Sequence, residues 1–151
     1  MGGITQFRSG FPFEVLGNSF DVNRKLGRAD QVGPFRTLDP RKVRTFEVDG
    51  KTATGNFFFD PTAFRDPGDQ KGSLGRNVFS GPGINLTSLS LSRSARIRDH
   101  HEVELRADMS NLFNHANFSL STDQFASSGG FGEVYYTLPA RRIQLSLRYK
   151  F

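Results

Sequence analysis

Arg141-Arg142-Ile143-Gln144-Leu145-Ser146-Leu147-Arg148-Tyr149-Lys150-Phe151 is the stretch that decides the fold. Ile143, Leu145, Leu147, Tyr149 and Phe151 alternate with Arg142, Gln144, Ser146, Arg148 and Lys150. Successive side chains of a strand point to opposite faces, so a strict period of two makes one apolar and one polar face. The pattern predicts a β-strand and excludes an amphipathic helix over these residues.

The same alternation recurs upstream. In residues 101–113, Val103, Leu105, Ala107, Met109 and Phe113 share a face, and Glu102, Glu104, Arg106, Asp108 and Ser110 share the other. In residues 86–97, Leu89, Leu91, Ala95 and Ile97 oppose Ser88, Ser90, Ser92, Ser94 and Arg96. A weaker strand is predicted over residues 3–9, extended past Pro12 by Phe11, Phe13 and Val15. The strong strands exceed the roughly 5–6 residues of a globular strand and suit the roughly 9–11 that a tilted strand needs to cross a bilayer.

The connections are of two kinds. Arg98-Asp99-His100 is a tight turn, whereas residues 17–83 and 114–140 are long and rich in Gly, Pro, Asn and Asp. Short turns at one end and long loops at the other are the layout of outer-membrane barrels. The organisation read from this is a strand and strand end at 1–16, a long extracellular loop at 17–83, and the last three strands of a barrel at 84–151. The long loop is expected to be mostly irregular, with few buried apolar residues and short strand pieces near 45–48 and 56–59. The fold class is therefore all-β, an antiparallel meander forming the terminal part of a transmembrane β-barrel. In that setting the apolar faces meet lipid and the charged faces meet a wet lumen. Arg93 breaks the rule by falling on an apolar face. An outward Arg costs about 2–4 kcal/mol at the bilayer midplane and about 0–1 near an interface, which places Arg93 towards the turn-side rim.

Composition agrees. The 151 residues include 16 Phe and 16 Gly and no Cys, which excludes disulfides, thiolate metal sites and Cys nucleophiles. The net charge is +5 with Arg spread along the chain, so no nucleic-acid tract is formed. There is no apolar run long enough for a transmembrane helix. Met1-Gly2-Gly3-Ile4-Thr5-Gln6 carries neither the basic start nor the apolar core of a signal peptide, so a barrel reading expects this sequence to belong to a longer exported chain. Three strong strands and one weak one leave two open edges, against the eight strands of the smallest single-chain barrels.

Several runs resemble the C-terminal region of Oar-like TonB-dependent outer-membrane receptors: Ser9-Gly10-Phe11-Pro12-Phe13, Phe59-Asp60-Pro61-Thr62-Ala63-Phe64, Leu74-Gly75-Arg76-Asn77-Val78-Phe79-Ser80-Gly81-Pro82-Gly83, Leu105-Arg106-Ala107-Asp108, Asn111-Leu112-Phe113-Asn114-His115, Phe131-Gly132 and the final strand. Asp108 stands where that family leads one to expect Glu. The resemblance implies a barrel of roughly 22 strands with a plugged lumen. It implies uptake of a bulky nutrient, TonB acting through a separate N-terminal part, and outer-membrane lipid and the remaining barrel and plug as partners. It also implies that Leu145, Leu147, Tyr149 and Phe151 form the signal read by the barrel assembly machinery.

Chemical motifs are weak. Residues 128–135, Ser-Gly-Gly-Phe-Gly-Glu-Val-Tyr, look like a kinase Gly-rich loop, but Ser127 replaces its first Gly and the partner motifs are missing. His100, His101 and His115 lack metal-ligand spacing, and the two at the turn read as solvated. Asp60, Asp66 and Asp69 lack the calcium-loop pattern and read as turn residues. Glu102, Glu104, Arg106 and Asp108 are expected to form a lumen-facing ladder with Arg142, Gln144 and Arg148. Neither catalysis nor a cofactor is expected. The competing reading is a soluble β-sandwich binding module for an anionic ligand, nucleic acid or glycan. It would need about seven short strands with turns every 8–12 residues.

Overall fold

The computed structural model describes residues 1–20, 26–48, 50–121, 123–126 and 128–151. The strands in chain order are β1 (Gly2–Arg8), β2 (Pro12–Phe20), β3 (Leu26–Arg28), β4 (Asp30–Gln31), β5 (Arg44–Val48), β6 (Lys51–Gly55), β7 (Phe64–Arg65), β8 (Phe79–Ser80), β9 (Ile84–Arg98), β10 (His101–Ser110), β11 (Phe118–Ser119), β12 (Asp123–Phe125), β13 (Tyr136–Thr137) and β14 (Arg142–Lys150). One 3-10 turn, Pro61–Ala63, interrupts them, and no α-helix occurs among the described residues. The fold is all-β, and the sheets are not closed. Two compact units result. The first comprises Met1–Arg8, Ile84–Asn117 and Leu138–Phe151; the second comprises Ser9–Gly83 and Phe118–Thr137.

The first unit is one antiparallel sheet in the order β1-β9-β10-β14. The three strongly alternating segments are consecutive neighbours, as the alternation predicts. Arg98 still belongs to β9, so Asp99 and His100 alone make the turn. β9 has 15 residues, about 46 Å of strand at about 3.3 Å per residue. Tilted by about 40° it rises about 35 Å, enough to pass a hydrocarbon core of about 30 Å. Near the turn a bulge lets His101 pair with Arg98 and Glu102 with Arg96, leaving Ile97 as the extra residue. β10 stops at Ser110, earlier than the alternation to Phe113 suggests, because Asn111 adopts a left-handed backbone (φ 49°) that no strand continues.

The second unit corrects two expectations. β2 does not extend β1: it starts a separate sheet, with β3 and β8 antiparallel to it and β12 parallel. The separation falls at Ser9-Gly10-Phe11, where a side chain on Gly10 would collide with the Gly81 carbonyl. The long 17–83 segment is also not poor in buried apolar residues. Phe13, Val15, Ala29, Phe58, Phe59, Ala63, Phe64, Leu74, Ala126 and Phe131 form a buried cluster, with Phe35 and Phe79 packed against it. Phe59 sits at its centre, fully buried, with ring centroids of Phe13, Phe64, Phe131 and Phe35 at 5.2–5.7 Å. Its contacts with Phe64 and Phe131 are edge-to-face, the arrangement that ring quadrupoles favour.

The polar residues of this unit serve its turns. Asp60 accepts a hydrogen bond from the Thr62 amide (3.0 Å) and caps the 3-10 turn, whose first residue is Pro61. Asp66 accepts from the Gly68 amide (3.0 Å). Glu14 lies between Arg28 (3.4 Å) and Arg76 (3.3 Å). β5 and β6 form a hairpin that includes the expected 45–48 strand, while Phe57 and Phe59 make only isolated bridges. The Gly-rich run around residue 130 is structural. Gly130 and Gly132 have positive φ, Phe131 enters the core, and the Gly132 amide donates to the buried Gln124 side chain (2.9 Å). Ser127 of that motif lies outside the described residues.

Candidate membrane-facing surface and polar wall

The register of the first sheet sorts its residues into rows. On one face the rows are Ala95·Val103·Tyr149, Arg93·Leu105·Leu147, Leu91·Ala107·Leu145 and Leu89·Met109·Ile143, the last flanked by Gly3. On the other they are Arg96·Glu102·Lys150, Ser94·Glu104·Arg148, Ser92·Arg106·Ser146 and Ser90·Asp108·Gln144, with Arg142 opposite Ser110. The division relaxes at the end away from the turn, where Ile4, Leu86 and Ile84 join the polar side.

The apolar face is not covered. Leu145 and Leu147 are 71% and 72% exposed, and Leu105 and Ile143 more than half. Among the described residues of this unit only Asn111 and Asn117 are buried, so the sheet has no apolar core on either face and no sandwich interior. A contiguous apolar surface of this extent is stable when another apolar medium meets it. At the turn-side rim, Tyr149 stacks on His101 (centroids 5.7 Å apart), and their hydroxyl and Nδ1 are hydrogen-bonded at 2.6 Å. His101 is thus engaged by Tyr149 and is not a free turn histidine. Phe151 lies 6.1 Å from Tyr149, ring to ring, and extends this aromatic rim. An apolar body with a polar tip suits the level where lipid meets water.

The polar face carries the charges. Lys150 pairs with Glu102 (3.4 Å) and Arg148 with Glu104 (3.9 Å). Arg106 and Asp108 pair along one strand, with Nε–Oδ2 at 2.8 Å and Nη2–Oδ1 at 3.0 Å. The Ser90 hydroxyl donates to Asp108 (2.6 Å). The expected cross-strand ladder therefore includes Arg148 and adds Lys150, whereas Arg142 faces a serine and Asp108 finds its cation on its own strand. Water screens these exposed pairs, so each adds little to stability. Gly2, Ile4, Ser88, Ser90, Asp108, Arg142 and Gln144 line an open groove of about 570 Å³ on this sheet. No metal-binding cluster occurs among the described residues.

The rim away from the turn is tied by asparagines. Asn117 is fully buried, and its amide imitates a strand partner: it accepts from the Asn85 amide (2.7 Å) and donates to the Asn85 carbonyl (3.0 Å). Asn111 donates to the carbonyls of His115 (3.0 Å) and Pro139 (3.1 Å) and accepts from the His115 amide (3.0 Å). Asn114 accepts from the Arg141 amide (3.0 Å). These side chains satisfy strand-end groups after β10 has ended. Strand periodicity does not reveal this role; the spacing Asn111, Asn114, Asn117 is the sequence signal for it.

Among the described residues, nothing pairs with the outer edge of β1 or of β14. Bare strand edges are not tolerated in hydrocarbon, so this sheet requires strands on both flanks. A sheet of long strands, apolar and open on one face, charged on the other and rimmed by aromatics, is a wall segment of a membrane-spanning β-barrel. The sequence model of the outer membrane beta barrel domain matches residues 1–144. The chain belongs to that family, and its place is the outer membrane. Leu145, Leu147, Tyr149 and Phe151 lie beyond the matched span. No curated protein and no solved structure matches the chain.

Proposed function

We propose that this chain supplies a stretch of barrel wall and a folded loop body of a TonB-dependent receptor that takes up a bulky nutrient. The observation that carries the reading is the second unit. The two long excursions, β1 to β9 and β10 to β14, leave the end of the sheet opposite the two-residue turn, the end that bears extracellular loops in outer-membrane barrels. They fold into one Phe-cored body, in which β12 of the second excursion pairs with β2 of the first. A loop region folded around its own core offers a fixed surface to a large solute, where irregular loops do not. The resemblance to Oar-like receptors supports the same reading. On it, the polar face lines the lumen, the apolar face meets lipid, and the remaining barrel strands and a plug are the neighbours. β14 with Leu145, Leu147, Tyr149 and Phe151 is offered to the assembly machinery, and no residue has a catalytic role. The test is capture of the purified periplasmic domain of TonB by the intact outer-membrane protein that carries these strands. Specific capture supports the reading; none, from protein shown to be folded, rejects TonB dependence and leaves an outer-membrane barrel of another activity.

A further inference from the structure

Arg93 is the one charge within the four apolar rows, set between Leu91 and Ala95 on its own strand and opposite Leu105. An ionisable side chain on a membrane face marks a functional site unless a partner neutralises it. The sheet supplies none: Glu102, Glu104 and Asp108 are on the other face, held by Lys150, Arg148 and Arg106, and Asp99 is in the turn. Arg93 is exposed, and it sits one row, about 7 Å along the strand, from the Ala95·Val103·Tyr149 row of the aromatic rim. Ala95, the next residue towards the rim on this face of β9, puts only a methyl group across the path from Arg93 to that row. A long basic side chain can follow such a path and bring its head to the interface. The rim is on the turn side, which in this family of barrels faces the periplasm. The anion present there is the phosphodiester of a phospholipid, and a guanidinium matches phosphate oxygens with two parallel hydrogen bonds.

We propose that Arg93, one row from the Ala95·Val103·Tyr149 row of the rim, is a headgroup site for a phospholipid of the periplasmic leaflet. The proposal rests on the barrel reading of the sheet and is independent of nutrient or TonB. It is tested on the intact protein in detergent, with folding checked by heat-modifiable migration. Native mass spectrometry then compares retention of phosphatidylglycerol with that of a galactolipid of the same acyl chains, which has no phosphate. The wild type is expected to prefer phosphatidylglycerol by about tenfold or more, the range of a charge-assisted hydrogen-bonded pair. Arg93→Leu brings the preference close to one without changing migration, and Arg93→Lys keeps part of it. If Arg93→Leu does not fold, Arg93→Gln serves the same comparison. A wild type without preference, as when a neighbouring strand supplies a carboxylate to Arg93, overturns the proposal. So does an Arg93→Leu protein that retains phosphatidylglycerol as well as the wild type. Failure of the barrel reading itself shows differently, as a wild type with no heat-modifiable form.

Discussion

Replacing Phe59 with Ala should unfold the second unit while leaving the sheet of the first unit intact. Phe59 is fully buried and packs against four other rings, two of them edge-to-face. Truncating a buried Phe costs about 3–5 kcal/mol through lost transfer energy and the cavity left behind. That raises the population of the open unit by about two to three and a half orders of magnitude, at about 1.4 kcal/mol per tenfold. Phe46 is the control: it is half-buried, and its ring contact is a single edge-to-face one with Phe57 at 5.1 Å. Phe46→Ala should cost about 2 kcal/mol, from partial burial plus one ring pair. The assay is limited proteolysis of outer-membrane fractions holding the intact protein, followed by electrophoresis with and without heating. Cleavage within 9–83 and 118–137 should accelerate sharply for Phe59→Ala and little for Phe46→Ala, because proteolysis tracks the open population when opening is fast. The heat-modifiable barrel band should survive in both. Equal cleavage of Phe59→Ala and wild type, or joint loss of the barrel band, would refute the argument that this core is a separate cooperative body.

Three other outcomes are expected. Asn117→Ala removes both side-chain bonds to the Asn85 backbone and should cost about 1–3 kcal/mol, seen as a lower temperature for loss of the heat-modifiable band; an unchanged temperature would show that water replaces the amide. Gly10→Ala should impair folding of the second unit far more than Gly50→Ala, since a Cβ at Gly10 meets the Gly81 backbone and one at Gly50 meets open space, although Gly50 has φ of 69°; comparable protease resistance of the two variants would contradict this. Replacing Phe151 with Ala should lower the amount of protein in outer-membrane fractions, while Lys150→Ala, which loses one exposed ion pair with Glu102, should do so much less. Equal levels would leave Phe151 as an ordinary rim aromatic.

The sheet of the first unit was readable in the sequence because its information is local. Alternation in β9, β10 and β14 names the strand and its faces without reference to any other segment. Register is not local: alternation puts Arg142 and Lys150 on the same face, but only the pairing shows that Arg142 faces Ser110 and Lys150 faces Glu102. The second unit was unreadable by the same means. Its core draws Phe13, Phe35, Phe59, Phe64, Phe79 and Phe131 from six separate places, at spacings that obey neither a strand nor a helix period. Gly, Pro and Asp between them are needed for the turns, and they gave the whole stretch the look of loop. The contrary signal was the aromatic content. Segments that stay disordered are poor in aromatics, and Phe57-Phe58-Phe59 followed by Phe64 is dense in them.

The parallel pairing of β12 with β2 joins Glu14 to Asp123, more than a hundred residues later. That single connection sets an order for biogenesis. Phe13, Phe35, Phe59, Phe64 and Phe79 emerge from the export channel long before Gln124 and Phe131, which complete their surroundings. Contacts of such separation form slowly, since closing the long loop must precede any gain from it. Until then the nascent chain carries unburied aromatic rings through the aqueous periplasm. Residues 9–83 thus carry their rings without the closing strand for the longest part of export, and a chain interrupted before Phe118 lacks both the β12 pairing and Phe131.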